Sequence, residues 1–260
     1  MNYGTGYNET QDNLSIRIEA HKNFSSFSLE DWLAANLPAK EGDHILDIGC
    51  GNGNLFPVYL KKITGRGAIT GIDKSKELLL QAQQGAAGFP ISLLQWDMNK
   101  KMPFSEGTFD YVLSTFAIYY IDDAAAIIKN IAKILKPGGE MFLVGPAENN
   151  AKELYEFNRR LFGLDRGMDE MSAARTARLE KEFYPLANDV FGCVTRDIIP
   201  GQLKFPGKSE FLRYYTATLL FEESCKKTGV TPRPEKINSV ELSSWNISKE
   251  MVVIRGKKDE

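Results

Sequence analysis

The chain reads as one α/β domain on a mostly parallel, doubly wound sheet with helices on both faces, and three observations predict it. Between His44 and Gly145, short apolar runs alternate with stretches of helical period, the rhythm of a sheet covered on both sides. The first run closes in a glycine-rich turn that opens directly into a helix. At 260 residues, the length suits one domain with additions better than two independent units.

Taken in order, Leu14 and Ile18, then Phe24, Phe27, Trp32, Leu33 and Leu37, recur at helical spacing, with Ser28 placed to cap a second helix. Strands are expected at 45–48, 68–72, 92–95, 111–115 and 140–144. Helices are expected at 55–64, 76–84 and 124–135, the last stopped by Pro137, Gly138 and Gly139. Beyond Gly145 the alternation fails. Residues 150–186 and 208–227 look helical, while 193–199 and 250–255 look strand-like. The tail 241–255 is expected to return to the core as an edge pair, with 150–186 and 200–236 elaborating one end of the sheet. The divisions are therefore a helical arm at 1–42, a core at 43–149, and cap helices with completing strands at 150–260, all within one domain.

Composition excludes several classes. With 32 basic and 34 acidic side chains the formal charge is −2, so the chain is no polycation for a phosphate backbone, and nucleic acid is not an expected partner. Hydrophobic content of 43% with 25% charged residues is that of a globular protein. Cys50, Cys193 and Cys225 are too few and too scattered for a disulfide framework or a metal cluster. The stretch 111–121 is far short of a membrane helix, and Met1 to Asp12 lacks the basic and apolar regions of a signal peptide. A soluble cytoplasmic protein, monomer or homodimer, without membrane partner or bound metal, is the expectation.

The chemistry is concentrated in Asp47-Ile48-Gly49-Cys50-Gly51-Asn52-Gly53-Asn54. Glycines here let the backbone approach a ligand, and the following helix offers unpaired N–H groups. A dinucleotide turn would need glycine at 54, where Asn54 stands, and it gains nothing from the carboxylate of Asp47. Both departures point to a ligand with a cationic or amine-bearing part. Asp73 and Lys74 follow the second strand, where a carboxylate suits a ribose diol, and Asp97 and Met98 follow the third.

Three acids at three successive strand ends, with Pro103 to Ser114 and Leu135 to Glu140, resemble the class I S-adenosylmethionine-dependent methyltransferases. The resemblance covers residues 43–145, looks most like the small-molecule branch, and implies the family's seven-stranded, mostly parallel Rossmann-like sheet. It places Asp47, Gly49, Cys50, Gly51 and Asn52 around the methionine part of S-adenosylmethionine, Asp73 and Lys74 at the ribose, Asp97 and Met98 at the adenine, and Ser114 near the sulfonium. Residues 13–21 resemble the lid arm of some members, in which Arg17 would meet the cofactor's carboxylate and His21 the substrate. Tyr119 joins His21 as a catalytic candidate, and Tyr120, Tyr214 and Tyr215 are the candidates for lining the acceptor site. His44 is expected to be structural.

Methyl transfer is an in-line displacement for which alignment in a dry site can supply about 7 to 11 kcal/mol, so no dedicated base is required. The stretch Ser114-Thr115-Phe116-Ala117 is not the Asn-Pro-Pro-aromatic signature of amide methylases. A small acceptor is expected, with nitrogen or oxygen ahead of carbon as the receiving atom, and S-adenosylhomocysteine as the product. Two rivals stand beside this reading: a regulatory protein that keeps the cofactor pocket but transfers nothing, and an NAD-dependent oxidoreductase.

Overall fold

The computed structural model describes residues 11–64, 66–164, 170–242 and 244–260. Positions 1–10 of the expected arm and 165–169 of the expected helical stretch lie outside the described residues. Among the described residues no helix is long and apolar enough to cross a membrane.

The chain opens with α1 (Gln11–Phe24) and α2 (Leu29–Asn36), the latter capped by the Ser28 hydroxyl, which accepts from the Asp31 N–H. There follow β1 (His44–Ile48), α3 (Phe56–Lys62), β2 (Ala68–Asp73), α4 (Lys76–Ala86), β3 (Ile91–Gln95), β4 (Phe109–Thr115), α5 (Ala124–Ile134) and β5 (Leu135–Pro146). The sheet order is β3-β2-β1-β4-β5-β9-β6, where β6 is Cys193–Ile199 and β9 is Met251–Lys257. All five core strands are parallel, and β9 runs antiparallel between β5 and β6. The sheet is thus seven-stranded and mostly parallel.

Period-two burial divides the core. Leu46, Ile48, Val112, Met141 and Leu143 meet Ile127, Ile128 and Ile131 of α5 on one face. Ile45, Leu113 and Phe142 meet Leu33 of α2 and Phe56 and Tyr59 of α3 on the other. A third cluster lies apart: Ala20 of α1, Leu154, Phe157 and Leu161 of α6 (Lys152–Phe162), Leu203 of β7 (Gln202–Lys204), Phe211 and Tyr215 of α9 (Lys208–Thr216), Leu220 of α10 (Leu219–Thr228) and Ile247 of β8 (Asn246–Ser248).

Two local expectations need correction. The strand pair at the sheet's edge joins 193–199 to 251–257, while 246–248 leaves the sheet to pair with β7 in a separate ribbon. And the stretch after α7 (Glu170–Arg178) does not sit over the sheet's end. The π-helical turn Leu179–Phe183 and α8 (Tyr184–Val190) bury Leu179, Phe183 and Ala187 against the face that α5 covers, because the sheet needs apolar cover where β9 and β6 extend it.

The arm is fastened to the cap. Ser25 bridges Leu203, the Ser26 N–H donates to the Gln202 carbonyl at 2.9 Å, and the Gln202 N–H donates to Ser26 Oγ at 3.0 Å. Phe24 packs on Phe205 with ring centroids 5.3 Å apart, and Arg213 pairs with Glu19 at 2.6 Å. These contacts hold the Arg17 and His21 turn of α1 beside α9.

Candidate active site

The corner between β1 and α3 is built on left-handed glycines. Gly49 has φ +74°, and a Cβ there would come within 2.3 Å of the Ala117 Cβ, so the turn passes too close to the chain after β4 for any side chain. Gly51 has φ +56°, and a Cβ there would enter open space. The Asp73 carboxylate pins this turn: Oδ2 accepts from the Gly51 N–H at 3.0 Å and Oδ1 from the Ser75 N–H at 2.8 Å. Ser75, not Asp73, caps α4 by accepting from the Leu78 N–H. A carboxylate oxygen has two lone-pair sites, so each Asp73 oxygen keeps one for a ligand hydroxyl.

Asp47, at the end of β1, is 2% exposed, and its Oδ1 is buried without a hydrogen-bond partner. Burial pushes its carboxyl up to about 7, against the pull of the nearby Tyr59 hydroxyl, and Asp73 adds to the rise. The Tyr59 oxygen is likewise buried without closing a hydrogen bond of sound geometry. A carboxyl placed like this lacks a positive partner, which a ligand ammonium would supply. At the end of β3, Asp97 Oδ1 accepts from the Asn99 N–H at 2.9 Å, so one oxygen serves its own turn.

The opposite wall comes from the chain after β4 and from the cap. Tyr119 and Tyr120 form a one-turn helix, Ile118–Tyr120, with ring centroids 4.6 Å apart. The Arg175 guanidinium lies 5.3 Å from the Tyr120 ring and pairs with Glu223 at 2.9 Å. His21 meets the Tyr214 ring edge-on at 6.1 Å. Burial, together with the positive charges of Lys249 and Arg17, lowers the His21 imidazole to about 3.

Residues 45–139 match the methyltransferase domain family. The demethylmenaquinone methyltransferase of Bacillus licheniformis is 28% identical over 177 residues, 68% of this chain and 72% of that one. The 27-O-demethylrifamycin SV methyltransferase of Amycolatopsis mediterranei is 29% identical over 166 residues, 59% of this chain and 60% of its own. The crystal structure of the YcgJ protein of Bacillus subtilis shares the fold at a TM-score of 0.60 and 17% identity, covering 89% of this chain and 98% of that one. Residues 45–139 are thereby identified as a methyltransferase domain. A phosphoethanolamine N-methyltransferase of Haemonchus contortus, which shares the fold at a TM-score of 0.62 and 15% identity over 96% of this chain and 58% of that one, was solved in complex with S-adenosyl-L-methionine.

The structure departs from four residue-level expectations. Ser114 is fully buried and its hydroxyl donates to the Ile48 carbonyl at 2.8 Å, so its proton ties β4 to β1 instead of facing a ligand. Tyr215 is enclosed by Phe157, Phe211 and Phe221 and donates to Asn158 Oδ1 at 2.6 Å, which makes it core of the cap, not lining. His21 is held neutral and poorly basic. Cys50 is buried, and burial with the charges of Asp47 and Asp73 drives its thiol far from ionisation, leaving it a filler beneath the turn. His44 is exposed at the far end of β1, where its N–H donates to Asp110.

Three contributors went unseen in the sequence. Phe116 has φ +54°, a conformation a bulky residue rarely adopts, and its N–H donates to the Val144 carbonyl at 2.8 Å. It turns the chain sharply after β4, above Gly49. Arg178 is 3% exposed and clamps the tyrosine turn: one nitrogen donates to the carbonyls of Tyr119 at 2.8 Å and Ile121 at 2.5 Å, while Glu182 takes two others at 2.6 and 2.9 Å. Lys249 reaches Tyr214 from the turn before β9. No local motif announces any of them.

Proposed function

We propose that the protein methylates a small-molecule acceptor, held between the tyrosine turn after β4 and the arm and cap. The observation that carries this reading is Asp73 pinning the glycine turn while retaining capacity for two hydroxyls, beside a buried Asp47 that lacks a positive partner. In this reading Asp47, Gly49, Gly51 and Asn52 receive the methionine part of the cofactor, Asp73 and Lys74 the ribose, Asp97 and Met98 the adenine, and Arg17 the cofactor's carboxylate. The cofactor supplies an electrophilic methyl on sulfur. The chain aligns the acceptor with it and excludes water, worth about 7 to 11 kcal/mol in well-oriented cases.

Tyr119, Tyr120 and Tyr214 offer aromatic surface to the acceptor, and His21 is neutral at physiological pH, able to accept a proton but with little driving force. Burial also raises the Tyr120 phenol, so it remains protonated as a hydrogen-bond donor. The matched relatives are named for small acceptors, the Amycolatopsis enzyme for an oxygen position and the Bdellovibrio bacteriovorus relative as a C-methyltransferase. The expected preference for nitrogen or oxygen over carbon therefore draws no support from them. Calorimetry with S-adenosylhomocysteine tests the cofactor end: Asp73→Ala should weaken binding by about 1.5 to 3 kcal/mol. An unchanged dissociation constant would remove Asp73 from the role. Product formation across a panel of small acceptors separates the transferase from a cofactor-binding regulator.

A further inference from the structure

We propose that the acceptor carries an anionic group, a carboxylate or a phosphate, received by the Lys249 ammonium together with the Tyr214 hydroxyl. The proposal rests on the methyltransferase reading above and adds the acceptor's charge class.

Lys249 is rooted firmly. Its backbone N–H donates to the Gly201 carbonyl at 2.8 Å, and β9 begins two residues later where Met251 pairs with Pro146, at the same end of the sheet as the glycine turn. The ammonium donates to Tyr214 Oη at 3.3 Å and lies 5.9 Å from the centre of that ring. Having accepted from Lys249, the Tyr214 hydroxyl keeps its own proton to donate, so two donors converge on one place. Among the described residues no carboxylate pairs with Lys249, and three acids on the elements around it are engaged elsewhere. Glu153 accepts from the Ser248 N–H at 2.9 Å and hydroxyl at 2.8 Å, Glu19 pairs with Arg213 at 2.6 Å, and Glu223 pairs with Arg175 at 2.9 Å.

Lys249 and Arg17 place positive charge near His21, and Arg175 and Arg17 do so near Tyr120, where Glu223 also lies. Arg17 is assigned to the cofactor's carboxylate and Arg175 has Glu223. That leaves Lys249, half-buried, as the positive charge without a counterpart. Partial desolvation of a lone cation is unfavourable, and one anionic group on the acceptor corrects it. A cationic acceptor would deepen the imbalance.

The chain has two histidines, His21 and His44, the second exposed at the opposite end of β1, which gives a direct readout. Protein saturated with S-adenosylhomocysteine is titrated with inorganic phosphate and, separately, with acetate, following both imidazoles by NMR. The expected result is a saturable shift of His21 but not His44, with an upward move in the His21 titration, stronger for whichever anion matches the acceptor. Lys249→Met should weaken that binding by about tenfold or more, Lys249→Arg should largely restore it, and S-adenosylhomocysteine affinity should be unaltered in both. No saturable shift with either anion, or one that Lys249→Met leaves intact, overturns the proposal. So does a comparable loss of S-adenosylhomocysteine affinity in Lys249→Met, which would assign the ammonium to the cofactor's own carboxylate. If the unaltered protein fails to bind S-adenosylhomocysteine at all, the reading beneath the proposal fails, a distinct outcome.

Discussion

Asp47→Asn makes a quantitative demand. In the fold the Asp47 carboxyl titrates at about 7, against 3.8 for the free group. Between those values the folded protein holds more of the proton than the unfolded chain does, so stability is fully present below about 4 and is lost as pH rises through 7. Linkage with these two values puts the whole loss at about 4 kcal/mol, of which about 2.5 falls between pH 5 and 8. Asparagine cannot titrate, and subtracting its stability from the wild type's at each pH cancels whatever the amide costs in packing. Urea unfolding of the apo protein, followed by tryptophan fluorescence, should show the wild-type-minus-variant difference falling by about 2 to 3 kcal/mol from pH 5 to 8. In the same series, wild-type affinity for S-adenosylhomocysteine should rise with pH through 7, since a ligand ammonium selects the ionised carboxylate, while the variant binds at least about tenfold more weakly. A stability difference that stays flat across this range would refute the claim that Asp47 is buried at a cost which its ligand relieves.

The remaining expectations concern the turn and the two walls. Gly49→Ala should cost about 2 to 4 kcal/mol, because the new methyl collides with Ala117, whereas Gly51→Ala should cost only the left-handed strain of about 1 to 2 kcal/mol and act on ligand binding. Denaturant midpoints in the reverse order would reject the contact with Ala117 as the reason for glycine at 49. Arg178→Lys, which keeps charge but loses the planar fork shared by two carbonyls and Glu182, should destabilise by about 2 to 4 kcal/mol and raise the acceptor's KM. A KM unchanged in folded variant protein would make Arg178 a stabilising residue only. Tyr215→Phe should lower stability by about 1 kcal/mol and leave acceptor kinetics unaltered, while Tyr214→Phe should do the opposite. Measuring both by thermal melts and steady-state rates separates core from lining.

What the sequence disclosed was whatever depends on neighbours along the chain. The period of two in 45–48 and 111–115, the Ser28 cap and the stop at Pro137-Gly138-Gly139 are local, and each element stands where local rules place it. The glycine turn was legible for the same reason. The cap was not, because its partners are far apart in sequence: β7 pairs with β8 across more than forty residues, and Tyr214 and Tyr215, adjacent and alike as letters, are both buried but on different neighbours, Tyr215 on Phe157 and Tyr214 on Phe205 and His21. Ser114 misled in the same way. The resemblance put it near a ligand at the end of the strand, but its place within β4 turns it inward to the Ile48 carbonyl. Phe116 carries no signal at all, since its strain follows from the close passage of Gly49 past Ala117.

The two walls of the site differ in charge, and the topology explains why. Asp47, Asp73 and Asp97 end β1, β2 and β3, so one half of the sheet's ligand-binding edge is acidic. Arg17, Arg175 and Lys249 come from α1, α7 and the turn before β9, brought over the other half by elements outside the parallel core. Coulomb energy between unit charges a few ångströms apart is about 1 kcal/mol in water and several-fold larger where water is excluded, so the two walls orient ligands before any shape complementarity acts. Under the proposals above, a ligand with an ammonium and a diol would be drawn to the first wall, and an anionic acceptor to the second. The boundary between them passes the tyrosine turn that Arg178 holds, where the two reactants would meet.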